Sequence, residues 1–176
     1  MGLDNLENKK TLNIVYAALF SALIFAVTHF IIIPLPFGYL NFGDCIILTS
    51  AVIIGTKYSV LAAAVGAALA DILSGYSVYA PATIIIKSLM VISFVAVTNI
   101  NKNNKPIIKF IFLIIGAVTS EIIMVCGYFI TEIILYSLEG AVAALFGNMM
   151  QGIASVIGSV VIITALRKLK LVNRIK

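Results

Sequence analysis

Charge is scarce in this 176-residue chain: 11% of residues are Asp, Glu, Lys or Arg, against 62% that are hydrophobic, with a mean hydropathy of +1.16. That scarcity excludes a soluble domain, which has no interior large enough to hide so much apolar surface. Tryptophan is absent, so ligand recognition by indole stacking is excluded. The two cysteines, Cys45 and Cys126, have no metal-ligand spacing and lie in or near apolar runs, where they read as packing residues. No GxxxxGK[ST] segment occurs, so the chain does not by itself bind ATP through a P-loop. A His-Glu-x-x-His motif, a metal-ligand cluster and a Ser, Cys or His constellation are all missing. No catalytic residue, metal or cofactor is therefore expected, and the chain does not read as an enzyme. No basic run is interleaved with aromatics, so the net charge of +5 is not a nucleic-acid footprint.

What charge there is sits at the ends of apolar segments. Lys9 and Lys10 precede the first run, Lys57 occupies a short break, Lys102, Lys105 and Lys109 fill another gap, and Arg167, Lys168, Lys170, Arg174 and Lys176 close the chain. The intervening gaps, 34–43, 74–80 and 136–140, hold no Lys or Arg. This alternation is the positive-inside pattern, and it predicts an all-α bundle of six transmembrane helices with both termini cytoplasmic, a single domain over 1–176. Six spans of about 20 residues use about 120, leaving no room for a soluble catalytic domain. The first run is too long for a cleavable signal and ends in Pro-Leu-Pro-Phe-Gly rather than a small-x-small site. The spans are predicted at about 11–33, 44–55, 59–73, 81–99, 107–135 and 141–166, with 34–43 an external loop. Joining 45–70 into one helix would give five spans and put a basic terminus outside, so the charge rule favours a break at Gly55-Thr56-Lys57-Tyr58. Ala62, Gly66 and Ala70, and Gly147, Gly152, Ser155 and Gly158, mark close helix contacts within the bundle. Ala18, Ala22 and Ala26 form a similar stripe whose facing is open.

Ionisable residues inside a span are costly and usually face a cavity or the protein interior. Here they are Lys87, Glu121 and Glu132, with Asp44, Asp71 and His29 at span ends. Glu121, Tyr128 and Glu132 share one face of the fifth span, and Asn148 and Gln151 share one face of the sixth. Depth along the helices gathers most of this polarity in the outer half, as in a pocket open to the outside. The cytoplasmic half has almost none, which argues against a channel or a self-sufficient pump. A structural ion pair between Lys87 and Glu121 or Glu132 is as good a reading as ligand contact. Asp44 opens a helix and is expected to cap it. Asp71 opposes a helix dipole and is expected to tie down the following loop. His29 reads as a satisfied polar residue at the interface. Tyr39, Tyr76 and Tyr79 suit an interfacial belt, but Tyr76 and Tyr79, in Gly75-Tyr76-Ser77-Val78-Tyr79-Ala80-Pro81, lie over the pocket entrance as lid candidates.

Taken together, Ala18-x-x-x-Ala22, Gly38-Tyr39-Leu40-Asn41-Phe42-Gly43-Asp44, Ala70-Asp71-Ile72-Leu73-Ser74-Gly75-Tyr76, then Tyr79-Ala80-Pro81-Ala82-Thr83 and Lys87, make the chain resemble the substrate-binding S component of energy-coupling factor (ECF) vitamin transporters. The resemblance covers nearly the whole chain and is strongest to members assigned to pyridoxine or the hydroxymethylpyrimidine precursor of thiamine. It implies a multi-pass protein of a bacterial plasma membrane that captures one small vitamin from outside. It also implies as partners a scaffold membrane subunit, packing on Ala18 and Ala22, and two ATP-hydrolysing subunits, with no nucleic acid. Such a subunit is thought to topple in the bilayer to release its ligand. The implied binding region is the external loops with the outer ends of spans 4 to 6. Candidate ligand residues are Tyr39, Asn41, Tyr76, Tyr79, Lys87, Glu121, Tyr128, Glu132, Asn148 and Gln151. The amides suit a flat heterocycle with hydroxymethyl groups. Lys87 opposite a glutamate would instead suit a carboxylate-bearing vitamin such as pantothenate, and thiamine is a further alternative. Outside transport, the competing readings are an assembly subunit of another membrane complex and a lipid-acting enzyme.

Overall fold

The computed structural model describes residues 3–34, 39–100 and 105–169. Within them the chain forms six helices and one hairpin: α1 (Leu3–Phe30), β1 (Ile32–Pro34), β2 (Tyr39–Asn41), α2 (Gly43–Ile54), α3 (Thr56–Leu73), α4 (Ala80–Asn99), α5 (Pro106–Leu135) and α6 (Leu138–Lys168). Five of these, α1 and α3 to α6, are long and apolar enough to cross a bilayer, whereas α2 has only 12 residues. Local chemistry explains the starts. Pro lies in the first turn of both α4 and α5, where its missing N–H costs nothing. The Ser137 hydroxyl caps α6 by accepting from the Gly140 N–H at 3.2 Å.

Residues 31–33, expected to end the first span, leave the helix instead. The β-branched run Ile31-Ile32-Ile33 prefers extended backbone, and Ile32–Pro34 pairs antiparallel with Tyr39–Asn41, Ile32 opposite Asn41. Of the predicted external loop 34–43, Pro34 and Tyr39–Asn41 thus belong to paired strands, the second of which leads into α2. Gly55 separates α2 from α3 with φ 76° and ψ 173°, a conformation essentially confined to glycine. The two are therefore distinct helices.

The helices form a closed ring in which α1 packs on α3, α3 on α4, α4 on α5, α5 on α6, and α2 contacts α1, α3, α4 and α6. α2 is the hub: all its residues except Ile46, Val52 and Ile53 are buried. Its Thr49 and Ser50 hydroxyls bond back to the carbonyls of Cys45 and Ile47, each at 2.7 Å, and so need no other partner. Ile47 and Leu48 meet Ile24, Val91, Phe94 and Ile163 in the main apolar core. Ala62, Ala63, Gly66, Ala67 and Ala70 turn inward from α3, letting α1 approach so closely that a Cβ on Gly66 would lie 2.5 Å from the Ser21 carbonyl oxygen. Leu19, Leu23, Ile85, Ile122, Ile157 and Val161 stay exposed on the outside, the inverse of a soluble protein and suited to lipid. His29, near the end of α1, meets Ser74 at the end of α3, Nδ1 to Oγ 2.7 Å, and joins the two helices there.

Candidate functional site

The ends of α1, α3 and α5 and the starts of α2, α4 and α6 converge on one cavity of about 190 Å³. Its floor is an ion pair. Lys87 Nζ lies 2.6 Å from Asp44 Oδ1, both side chains being almost fully buried. The second Asp44 oxygen accepts from Gln151 Nε2 at 2.8 Å, and Gln151 Oε1 accepts from Asn41 Nδ2 at 2.8 Å. Lys87 also sits 5.2 Å from the centre of the Tyr128 ring, an attractive cation–π placement.

This arrangement corrects two expectations. Lys87 pairs with Asp44, and not with Glu121 or Glu132. Asp44 does not cap α2: the Gly43 N–H at its start donates to Asn41 Oδ1 at 3.0 Å, and the Asp44 carboxylate points at Lys87 and Gln151 while its charge still complements the positive end of α2. The hairpin is the reason, because it delivers Asp44 to the depth of Lys87 rather than to the membrane surface.

The walls carry further polar groups. Thr83 Oγ1 and the Tyr128 hydroxyl are 3.0 Å apart. Asn148 Nδ2 donates to Glu132 at 3.2 Å and 3.4 Å to the two carboxylate oxygens. Asp71 lines the cavity as well, 9% exposed, with Oδ2 lacking a hydrogen-bond partner among the described residues. Its side chain is not needed to tie down the next loop, because the backbone does that. Gly75, with φ 83°, lets its N–H reach the Ile72 carbonyl and the Tyr76 N–H reach the Asp71 carbonyl at 2.8 Å, the two bonds of a Schellman ending. The same turn brings Tyr76 and Tyr79 to the mouth. Tyr79 has ring centroids 6.4 Å from Tyr76, 6.4 Å from Tyr128 and 6.2 Å from Tyr136. Burial, then the hydrogen bond with Tyr136, pushes the Tyr79 phenol above its ordinary range, so it stays neutral.

Of the residues singled out in the sequence, Asn41, Tyr76, Tyr79, Lys87, Tyr128, Glu132, Asn148 and Gln151 line this cavity. Glu121 does not. It lies seven residues deeper than Tyr128, about 10 Å along the helix, and faces an apolar groove between α5 and α6 with Ile122, Val125, Ile153 and Val156. Both its carboxylate oxygens lack a partner among the described residues. The Tyr39 side chain lies outside the described residues. Sequence reasoning missed Thr28, Asp71 and Thr83 as lining residues. Asp71 had a usable signal, because it falls on the face of Ala63 and Ala67, which packs inward. Ala18 and Ala22 are exposed on the outer surface of α1.

A bundle with a lipid-suited exterior, an apolar core and a polar cavity at one end defines a multi-pass membrane protein with the architecture of a small-molecule binder. Residues 8–168 match the family described as the ECF-type riboflavin transporter, S component, and the chain belongs to that family of transporter subunits. It is not an enzyme. ECF S components bind a small vitamin and associate with ECF scaffold and ATPase modules. The chain is also similar to a Pyrococcus woesei protein described as "uncharacterized protein in gap 3'region", with 33% identity over 134 residues, 74% of this chain and 84% of the relative.

Proposed function

We propose that this protein captures a small flat heterocycle of the pyridoxine or hydroxymethylpyrimidine class from outside the cell and hands it to an ATP-driven ECF module for import. One observation carries the ligand class: the 190 Å³ cavity is walled by Tyr79 and Tyr128 and edged by Asn148 and Gln151. Aromatic faces suit a planar ring, and the acceptors left at its edge, the Glu132 carboxylate and the Asn148 carbonyl, suit the O–H of hydroxymethyl groups. The volume lies below the roughly 300–1,000 Å³ of pockets that hold drug-sized ligands, which favours one ring over three. Lys87 is already neutralised by Asp44 at 2.6 Å, so no free cation lines the cavity among the described residues, and pantothenate is a poor fit. A second reading, riboflavin, is favoured by the family's description.

The same reading takes six crossings with both termini cytoplasmic. α2 alone covers about 18 Å, but it starts at the level of Lys87, the eighth residue of α4, about 10 Å below that helix's start. The remaining distance brings it close to the far side of a core about 30 Å thick. The exposed Ala18 and Ala22 would then meet the scaffold subunit.

Native mass spectrometry of the protein purified from rich medium tests the reading. A pyridoxine-like or pyrimidine-like mass at one per chain is expected. A riboflavin mass would favour the second reading, and an empty protein that ignores a vitamin panel would favour an assembly subunit instead.

A further inference from the structure

Resting on that reading, we infer that Asp71 and Glu132 make the cavity selective for heterocycles that carry an amino or aminomethyl group, in preference to the same ring with a hydroxyl in its place. The polar groups at the floor satisfy one another: Lys87 and Asp44 cancel in charge, and both Gln151 and Asn41 are committed to the same network. The donors on the walls are likewise engaged, Asn148 by Glu132 and Thr83 with Tyr128 and Asp71. What remains is acceptor capacity and negative charge. Asp71 is 9% exposed and Glu132 5%, both line the cavity, and no cation faces either of them there among the described residues except Lys87, already paired.

A buried carboxylate oxygen without a donor is costly, and Asp71 Oδ2 is in that state. A ligand that supplies an ammonium or amino N–H to the cavity-facing edge of Asp71 or to Glu132 gains a charge-assisted hydrogen bond. A hydroxymethyl group offers a single neutral donor and gains less. Selectivity therefore arises from two carboxylates on a wall whose donors are already engaged, which favours guests that bring a charged or amino donor of their own. The aromatic mouth supports the same choice, because the faces of Tyr79 and Tyr128 attract cations.

Isothermal titration of the full chain in detergent at pH 7, with pyridoxamine, pyridoxine and riboflavin as probes, tests this. Pyridoxamine and pyridoxine share a ring and differ in an aminomethyl against a hydroxymethyl group. Pyridoxamine is expected to bind at least about 10-fold more tightly, and Asp71→Asn or Glu132→Gln to weaken it about 10- to 100-fold, with a smaller effect on pyridoxine. The wild-type comparison needs no variant to fold, and the two substitutions check each other. Equal affinity for amine and alcohol overturns the inference while leaving the transporter reading intact. Tight riboflavin binding with pyridoxamine excluded overturns the inference and favours the second reading. Binding of none of the three overturns the inference and removes both the pyridoxine and the riboflavin readings.

Discussion

Lys87 and Asp44 are each tolerable inside the bundle only because of the other. With Lys87→Met the Asp44 charge would remain buried beside Gln151 with no counter-ion, which costs about 3–5 kcal/mol. The double variant Lys87→Met, Asp44→Leu removes both charges and is expected to recover much of that loss. Thermal unfolding in detergent measures both, and equal loss in the single and double variants would refute the pairing. At the mouth, Tyr79→Ala removes a ring that meets three other tyrosines. Its contacts with those rings are worth about 0.5–1.5 kcal/mol each, so Tm is expected to fall, and losing one aromatic face for the ligand, of similar worth, is expected to lower affinity roughly 2- to 10-fold. An unchanged affinity would move the ligand away from the mouth. Much of this polar layer was legible at single residues: depth and helical phase brought Tyr128, Glu132, Asn148 and Gln151 together from the sequence alone. The partner of Lys87 was not, because it depends on a hairpin that carries Asp44 inward, and helix arithmetic treats a span end as a surface. Glu121 shows the converse failure, since phase assigns a face but not the level at which a cavity ends.

Among the elements, the short α2 governs the geometry. Gly55 ends it in a conformation that costs other residues about 1–3 kcal/mol, so Gly55→Ala is expected to lower stability by that amount. No atom outside its chain neighbours lies within 4 Å of a Cβ added there, so the loss would come from backbone strain and not from a clash. An unchanged Tm would mean that the break has relaxed. The separation into α2 and α3 was legible from Lys57 and Gly55, whereas the hairpin was hidden, because a run of isoleucines reads equally as helix or strand until pairing decides. α1 presents Ala18 and Ala22 outward beside exposed Leu19 and Leu23. Replacing both alanines with Trp is expected to abolish vitamin uptake by cells while ligand binding by the purified protein stays within about twofold, roughly 0.4 kcal/mol. A parallel loss of binding would show that this face serves the bundle and not the scaffold.

At the scale of the whole molecule, the hydrogen-bonded charged and amide side chains inside the bundle gather at one end among the described residues, with Glu121 deeper, which suits a binding cavity better than a path across the membrane. Capture by this subunit with energy supplied by another follows naturally from that division. The most direct test is titration of the purified chain with pyridoxine-class and pyrimidine vitamins, repeated on Ala144→Trp, which sets an indole at a cavity-lining position. The account predicts one ligand per chain for the wild type and none for the folded variant. Undiminished binding by Ala144→Trp, or no binding by a folded wild type, would contradict it.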